Sequence, residues 1–284
     1  MSEAGTPTPS ALPAALAAAL AGRQARLAGF AGTVRYYESV GSTNDVADRL
    51  AAAGAPHGTV VVAASQERGR GRMGREWFSP PGAGLYVSVV LRPSSLGFDD
   101  VAASGLQGVT LAASVTLTAG VALAEAVREV SGLPVEIKWP NDLVIGGRKL
   151  CGILAEATAG PDGLDHVVLG FGINVRHARL PGELARRATS LEDESGRPVD
   201  EHALLAEALT RLGEGLRELA GRGFDGMLGR WRRLSPSSVG APVDVLVGDA
   251  WHRARTAGID RDGALLVDRA GTVHRVIAGE VRWH

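Results

Sequence analysis

Val135-Glu-Ile-Lys-Trp-Pro-Asn-Asp-Leu-Val-Ile-Gly-Gly-Arg-Lys-Leu-Cys-Gly-Ile-Leu-Ala-Glu-Ala157 is the stretch that decides how this chain folds. Two runs rich in strand formers flank Gly146-Gly147. A two-residue glycine turn supplies the positive φ angles of a tight hairpin, so the segment predicts antiparallel strands at about 135–145 and 148–157. Working outward, strand patterns recur at 33–38, 59–65, 84–91 and 166–173. Ser42-Thr43-Asn44 with Asp45 offers N-caps for a helix to about Ala53. Residues 111–130 have few breakers and a long apolar face, which reads as the main core helix, and helices resume at 200–219 and 223–233. The stretch 174–198 between them is polar and irregular. The regular strand-helix-strand cycle of a doubly wound fold is missing, and strands dominate the middle of the chain. The class is therefore α+β with a mixed sheet.

After Ser235-Pro236-Ser237-Ser238 the pattern changes to short strands at 243–247, 251–259, 265–268 and 272–277, with turns at Asp262-Gly263 and Ala270-Gly271. This spacing predicts a small β-barrel and a domain boundary near Ser237. Three parts are expected: residues 1–30, a leader disordered over 1–9 and then an Ala-rich surface helix to about Gly29; a large domain, 31–236; and the barrel, 237–284.

The 284-residue chain is 45% hydrophobic, enough for a packed core, and carries a formal net charge of -1. That balance gives no global electrostatic reason to bind nucleic acid or an anionic membrane, so any anion site must be local. Cys151 is the only cysteine, which excludes an internal disulfide framework and a cysteine-based zinc cluster. The apolar stretch before Gln24 lacks a basic region ahead of it and is soon followed by arginines, unlike a signal peptide or a membrane span. A cytoplasmic location is the expectation.

Of the 30 lysine and arginine residues only two are lysines, Lys138 and Lys149, and both fall inside the decisive stretch. A compact ammonium on a flexible stem reaches oxygens that a planar guanidinium would crowd, so these two positions point to catalysis. A second cationic feature is the segment Arg68-Gly69-Arg70-Gly71-Arg72-Met73-Gly74-Arg75-Glu76-Trp77. It formally matches G-x-G-x-x-G, but a dinucleotide site needs a helix to open at once, and Trp77-Phe78-Ser79-Pro80-Pro81-Gly82 cannot start one. Three glycines let the backbone approach a ligand, and Arg68, Arg70, Arg72 and Arg75 gather positive charge suited to a polyanion or acyl phosphate. Mutual repulsion is expected to keep residues 66–78 mobile until an anion arrives. A solvated arginine loop and an RGG-like nucleic-acid contact remain the plainer alternatives. Trp77 suits either covering a planar group such as adenine or anchoring the loop in the core.

Four motifs, Gly69-Arg-Gly-Arg-Met-Gly-Arg75 with Trp77, Lys138-Trp-Pro-Asn-Asp142, Arg148-Lys149-Leu-Cys-Gly-Ile-Leu-Ala-Glu156 and Gly170-Phe-Gly-Ile-Asn174, resemble in order and spacing those of the biotin protein ligases. The resemblance covers about residues 34–284. It implies a mixed-sheet catalytic domain shared with lipoate-attaching enzymes and a C-terminal SH3-like barrel. Members that also repress transcription carry an N-terminal winged helix-turn-helix domain, and the roughly 30 residues before the catalytic domain are too few for one.

The implied activity is ATP- and Mg²⁺-dependent formation of biotinyl-AMP, then transfer of biotin to a lysine of a biotin carboxyl carrier domain, with no DNA or membrane partner. Carried over position by position, biotin would meet Ser42, Thr43, Gln66, Gly69, Arg70, Arg72, Lys149, Gly152 and Gly170. The nucleotide would meet Trp77, Arg75, Asn141, Asp142, Lys149 and Asn174, and Mg²⁺ would be held mainly by substrate phosphates. Lys149, Arg70, Arg72, Lys138 and Asp142 would carry the catalysis. Cys151 reads as a packed side chain. The competing readings are a lipoate-attaching enzyme, a biotin-sensing DNA-binding regulator and a non-catalytic ligand binder.

Overall fold

The computed structural model describes residues 7–96, 105–161, 163–277 and 281–284. Most of the predicted leader, residues 1–6, lies outside them. The expected Ala-rich helix is two helices, α1 (Ala14–Ala21) and α2 (Gln24–Leu27), broken at Gly22-Arg23. Leu16, Leu27 and Phe30 are buried in the main core, so the segment belongs to the body of the large domain.

Beyond it come β1 (Val34–Tyr37), α3 (Thr43–Ala52), β2 (Val60–Ala63), β3 (Gly84–Leu91), α4 (Gly105–Ser131), β4 (Glu136–Lys138), β5 (Asp142–Ile145), β6 (Arg148–Gly160) and β7 (Gly163–Asn174). Then follow α5 (Leu184–Arg187), α6 (Leu191–Ser195), α7 (Glu201–Arg222) and α8 (Asp225–Leu234). The strands form one sheet in the order β1-β2-β3-β7-β6-β5-β4, with β1 and β2 parallel and every other pair antiparallel. The mixed sheet is thus as expected.

Both faces of the sheet are covered, which explains the unbroken Val60-Val61-Val62 run. Val60 and Val62 face the core shared with α4 and α7, while Val61 and Ala63 pack with Val46, Ala47 and Ala51 of α3. A strand buried on both sides reads as continuous apolar sequence. Within α4, Leu111–Ser131 is long and apolar enough to cross a membrane, but 72% of that window is buried inside the protein. It is the core helix the sequence predicts.

One strand expectation needs correction. The run at 135–145 is two strands, β4 and β5, folded back on each other so that Lys138 pairs with Asp142. Pro140, in a cis peptide bond after Trp139, has no N–H to give a ladder and sits in the turn. The Gly146-Gly147 turn then connects β5 to β6, with φ of 55° and 78°. The register slips between Leu143 and Val144, which face Cys151 and Lys149 respectively. This bulge leaves Leu150 and Cys151 both fully buried and turns Lys149 into the cavity described below.

The C-terminal strands β8 (Val239–Val247), β9 (Ala250–Ile259), β10 (Leu265–Arg269), β11 (Thr272–Val276) and β12 (Val281–Trp283) form an antiparallel sheet in the order β11-β10-β9-β8-β12, consistent with an SH3-like barrel. The three-residue β12 was too short to leave a sequence pattern. The barrel leans on the large domain: Trp139 Nε1 donates to Gly263 O at 3.0 Å, and Arg232 donates to Ile259 O at 3.1 Å. This docking brings β12 to the edge of the functional site.

Candidate active site

A cavity of about 1170 Å³ opens on the sheet face beside the N-terminus of α3. Its floor is made by what three residues lack. Gly152 and Gly172 pair across β6 and β7, and Gly170 pairs with Leu154 two positions along. A side chain at Gly170 would run into the amide of Asn44, and one at Gly172 into the indole of Trp77.

At the α3 end a chain of hydrogen bonds orders polar side chains. Gln66 Oε1 accepts from Thr43 N at 2.8 Å and from Thr43 Oγ1 at 3.0 Å, while Gln66 Nε2 donates to Ser79 Oγ at 2.9 Å. Gln66 therefore satisfies the first N–H of α3, a task that Ser42, the N-cap residue, leaves undone. Ser88 Oγ lies 2.8 Å from Thr43 Oγ1 and 2.6 Å from Asn44 Oδ1. Asn44 Nδ2 donates to Glu156 Oε2 at 2.6 Å. Ser42, Thr43, Asn44 and Ser88 are all buried. Buried polar atoms already held by one another form a rigid template for a polar ligand.

The basic glycine loop folds over this end as a closed turn. Trp77 N donates to Gly69 O at 2.8 Å and Gly71 N to Arg75 O at 2.7 Å, with Met73 at φ 57° at the tip. Gly69 is needed for the loop's own closure, because a Cβ there would strike the Trp77 carbonyl. Gly71, rather than Gly69, lines the cavity.

Within the loop, Arg70 Nη2 lies 3.0 Å from Asp45 Oδ1 and 2.7 Å from Glu156 Oε2. The expectation of a loop lacking countercharge is thus corrected at Arg70, where α3 and β6 supply it. Arg72 donates to Asn141 Oδ1 at 3.5 Å, and burial, reinforced by Arg75 and opposed by Asp142, lowers its pKa from the usual guanidinium value. Trp77 leans into the cleft with Nε1 buried and unpartnered. Arg68, Arg70 and Arg75 remain exposed, so trypsin is expected to cut the free loop. With biotin and ATP added, cleavage in 68–75 should slow at least about threefold as an anion joins the arginines. Unchanged digestion, followed by mass spectrometry of the fragments, would count against a lid.

The β4–β5 turn and β6 supply the other functional groups. Lys149 Nζ stands 2.7 Å from Asp142 Oδ1 and 5.4 Å from the centroid of the Trp77 ring. The Asp142 oxygen receives no hydrogen bond of good geometry, so its tie to the lysine is one of charge. Lys138 Nζ lies 5.6 Å from the centroid of the Trp283 ring. Asn141 Nδ2 donates to Ile153 O at 2.8 Å and Asn174 Nδ2 to Thr189 O at 2.9 Å, which fixes both amides at the cavity wall. Burial pushes the Cys151 thiol far up, so it is a packed side chain without thiolate character.

Every site residue carried over from the resemblance lines this cavity except Gly69, and of the four loop arginines Arg68 alone does not. Sequence reasoning missed Asn44, Glu156, Gly172, Arg187 and Trp283. Asn44, Glu156 and Gly172 stood inside motifs already singled out; Arg187 and Trp283 carried no local signal. Among the described residues no group of three or more His, Cys, Asp or Glu could hold a metal ion. Asp142 and Glu156 each face a cation of the chain. Such a donor set suits a Mg²⁺ ion carried in on phosphate oxygens better than an all-protein cage.

Residues 36–174 match the biotin/lipoate A/B protein ligase family. The chain is 34% identical over 256 residues to the biotin–acetyl-CoA-carboxylase ligase of Mycobacterium tuberculosis, covering 85% of each. It is 34% identical over 224 residues to the bifunctional ligase/repressor of Salmonella typhimurium, 79% of this chain and 66% of that protein. The solved biotin protein ligase of Aquifex aeolicus in complex with biotin and ATP superposes with a TM-score of 0.74 at 28% identity, covering 89% of this chain and 98% of that one.

Proposed function

The chain belongs to the biotin protein ligases of the biotin/lipoate A/B protein ligase family, and from that premise we propose that its cavity activates biotin with ATP and passes it to a protein lysine. The observation that carries the reading is that one cleft gathers three kinds of group. They are a buried polar template, Thr43-Gln66-Ser88-Asn44, the Lys149 ammonium beside Asp142, and the nucleotide candidates Asn141, Asp142 and Asn174.

The ureido ring of biotin offers both donors and acceptors, and the template offers hydroxyl and amide partners for them. Gly170 leaves room for the Asn44 amide, and Gly152 for Trp77 and Lys149, so that these groups can line the rings and the valeryl chain. The carboxylate then lies toward Lys149. Biotin carboxylate and the ATP α-phosphate repel, and the attack of one on the other concentrates negative charge. Lys149, Arg70 and Arg72 are fixed positive charges at that point, and fixed charge in a partly dry cleft stabilises a transition state without reorganisation. Asp142 holds Lys149 in place until the substrate anions compete for it. Magnesium, bound to the phosphates, would supply further charge neutralisation.

The product, biotinyl-AMP, is a mixed anhydride that water destroys. Trp77 and the basic loop cover it, with the indole reaching the adenine, until the amine of a carrier-domain lysine attacks the acyl carbon and releases AMP. The carrier is the biotin carboxyl carrier domain of a biotin-dependent carboxylase.

Incubation with ATP, Mg²⁺ and either biotin or lipoate, read by mass spectrometry for the acyl-adenylate, tests the assignment. Biotinyl-AMP is the expected product. A dithiolane cannot pair with the buried amide and hydroxyl groups, and sites built for hydrogen bonds reject ligands lacking them by about 10⁴ or more. Equal rates with lipoate would overturn the choice of substrate.

A further inference from the structure

His166, on β7, is the only buried one of the seven histidines, and it stands apart from the cavity lining. Both of its ring nitrogens face carboxylates. Nδ1 is 2.6 Å from Asp165 Oδ2, and Nε2 is 2.9 Å from Asp48 Oδ1 on α3. A neutral imidazole has one donor and one acceptor, so either tautomer would turn a lone pair toward a carboxylate. Only the imidazolium donates to both.

The surrounding groups decide which contact depends on the proton. From the segment after β3, Arg92 Nη1 lies 3.2 Å from Asp165 Oδ2, and its Nη2 donates to Ala51 O and Ala55 O at and just beyond the end of α3. The hydrogen bond from His166 holds the Asp165 carboxyl below the usual carboxylate range; burial opposes this and Arg92 reinforces it. Arg92 N also donates to His57 Nδ1 at 3.2 Å, and burial lowers the pKa of His57, which suits an acceptor. From β6, the uncharged Thr158 donates to Asp48 Oδ1 at 3.3 Å. Asp165 thus keeps a cation when His166 is neutral, whereas Asp48 keeps a hydroxyl. The proton left on a neutral ring belongs at Nδ1, on the shorter bond, and Nε2 then presents its lone pair to Asp48.

Asp48 stands one turn from Asn44 on the same face of α3. Asn44 reaches Glu156 on β6 and lies over Gly170 on β7; Asp48 reaches Thr158 on β6 and His166 on β7. Val168, between His166 and Gly170, packs in one apolar cluster with Val46 and Ala47. The helix whose first residues, Thr43 and Asn44, help build the biotin template is therefore seated on the sheet at one polar point inside the cavity and at a second behind it.

We propose that His166, as an imidazolium, is a positioning residue for biotin binding: through Asp48 it sets the height of α3 on β7, and with it the template that meets the ureido ring. The assignment rests on the ligase reading above. As pH rises and the proton leaves, the Asp48 contact turns repulsive, the helix lifts and biotin binds more weakly.

The biotin KM and the ATP KM of biotinyl-AMP formation, measured in three proteins from about pH 5 to 9, a span that contains the ordinary titration of histidine, test this. In the wild type the biotin KM is expected to rise about fivefold with pH while the ATP KM does not follow, the scale of coupling from a residue that touches no ligand. Asp48→Ala, at a half-exposed side chain, should hold the raised biotin KM at every pH. Asp48→Asn should hold the low one, because an amide accepts from the charged ring through its oxygen and donates to the bare Nε2 through its nitrogen. A merely structural role would not give alanine and asparagine opposite, flat profiles. An Asp48→Asn profile that follows the wild type, a wild-type biotin KM unmoved by pH, or biotin and ATP KM values that rise together in Asp48→Ala would overturn the positioning role. Absence of biotinyl-AMP from the wild-type protein would instead refute the ligase reading, so the two failures are distinct.

Discussion

Lys149→Arg is expected to slow biotinyl-AMP formation by at least about a hundredfold, on the order of 3 kcal/mol of transition-state stabilisation. The substitution keeps the charge, and this chain uses arginine for every other cation but one. Geometry makes it damaging. Lys149 Nζ sits 2.7 Å from Asp142 and its stem passes close to Gly152, where a Cβ would lie 3.3 Å from Nζ. A planar guanidinium at the same depth would have to fit between that strand and the Trp77 ring, 5.4 Å from the ammonium. It would also take Asp142 as a bidentate partner and hold it more firmly against the competing substrate anions. The side chain is partly exposed and its backbone is ordinary strand, so the melting temperature should stay close to that of the wild type. Single-turnover adenylate formation beside a melting curve decides the matter: a near-normal rate in a folded variant would reduce Lys149 to one surface charge among many.

How much of this was legible in the sequence differs from element to element. The Gly146-Gly147 hairpin, the core helix and the Val-rich strands were readable because each is specified by residues adjacent in sequence. The division of 135–145 into two strands was also written there, in Pro140, but its meaning depended on β5 having β6 as its other neighbour. Gln66 was identified as a polar ligand for substrate, yet nothing local says that it also caps α3. That role arises only when the strand leading from β2 is laid beside Ser42. Countercharge was the least readable property. Arg70 meets Asp45 from 25 positions earlier and Glu156 from 86 later, so the fold gives this arginine a countercharge that the composition of the loop did not show. Trp283 reaches the cavity because contacts between residues distant in sequence, Trp139 to Gly263 and Arg232 to Ile259, hold the barrel against the catalytic domain.

Gly170→Ala is expected to raise the biotin KM at least about thirtyfold, near 2 kcal/mol, while leaving the ATP KM within about twofold of wild type. Its backbone is ordinary strand, so the residue is not needed for conformational freedom. What alanine lacks is space: its methyl would overlap the Asn44 carboxamide, which lies flat on the glycine. Asn44 cannot give way cheaply. Its Oδ1 is 2.6 Å from Ser88 Oγ, its Nδ2 donates at 2.6 Å to Glu156, and the side chain is buried. Displacing it leaves a buried amide short of partners, at a cost of about 1–3 kcal/mol in stability. Through Ser88 and Thr43 it also shifts the Gln66 template that faces the ureido ring. A second substitution identifies the cause. Asn44→Ala removes the same amide and should harm biotin binding alone. In the double variant the two losses should fall well short of additive, because the added methyl no longer meets anything. Full additivity, or a biotin KM unmoved by Gly170→Ala, would show that the amide and the template are not coupled through this glycine.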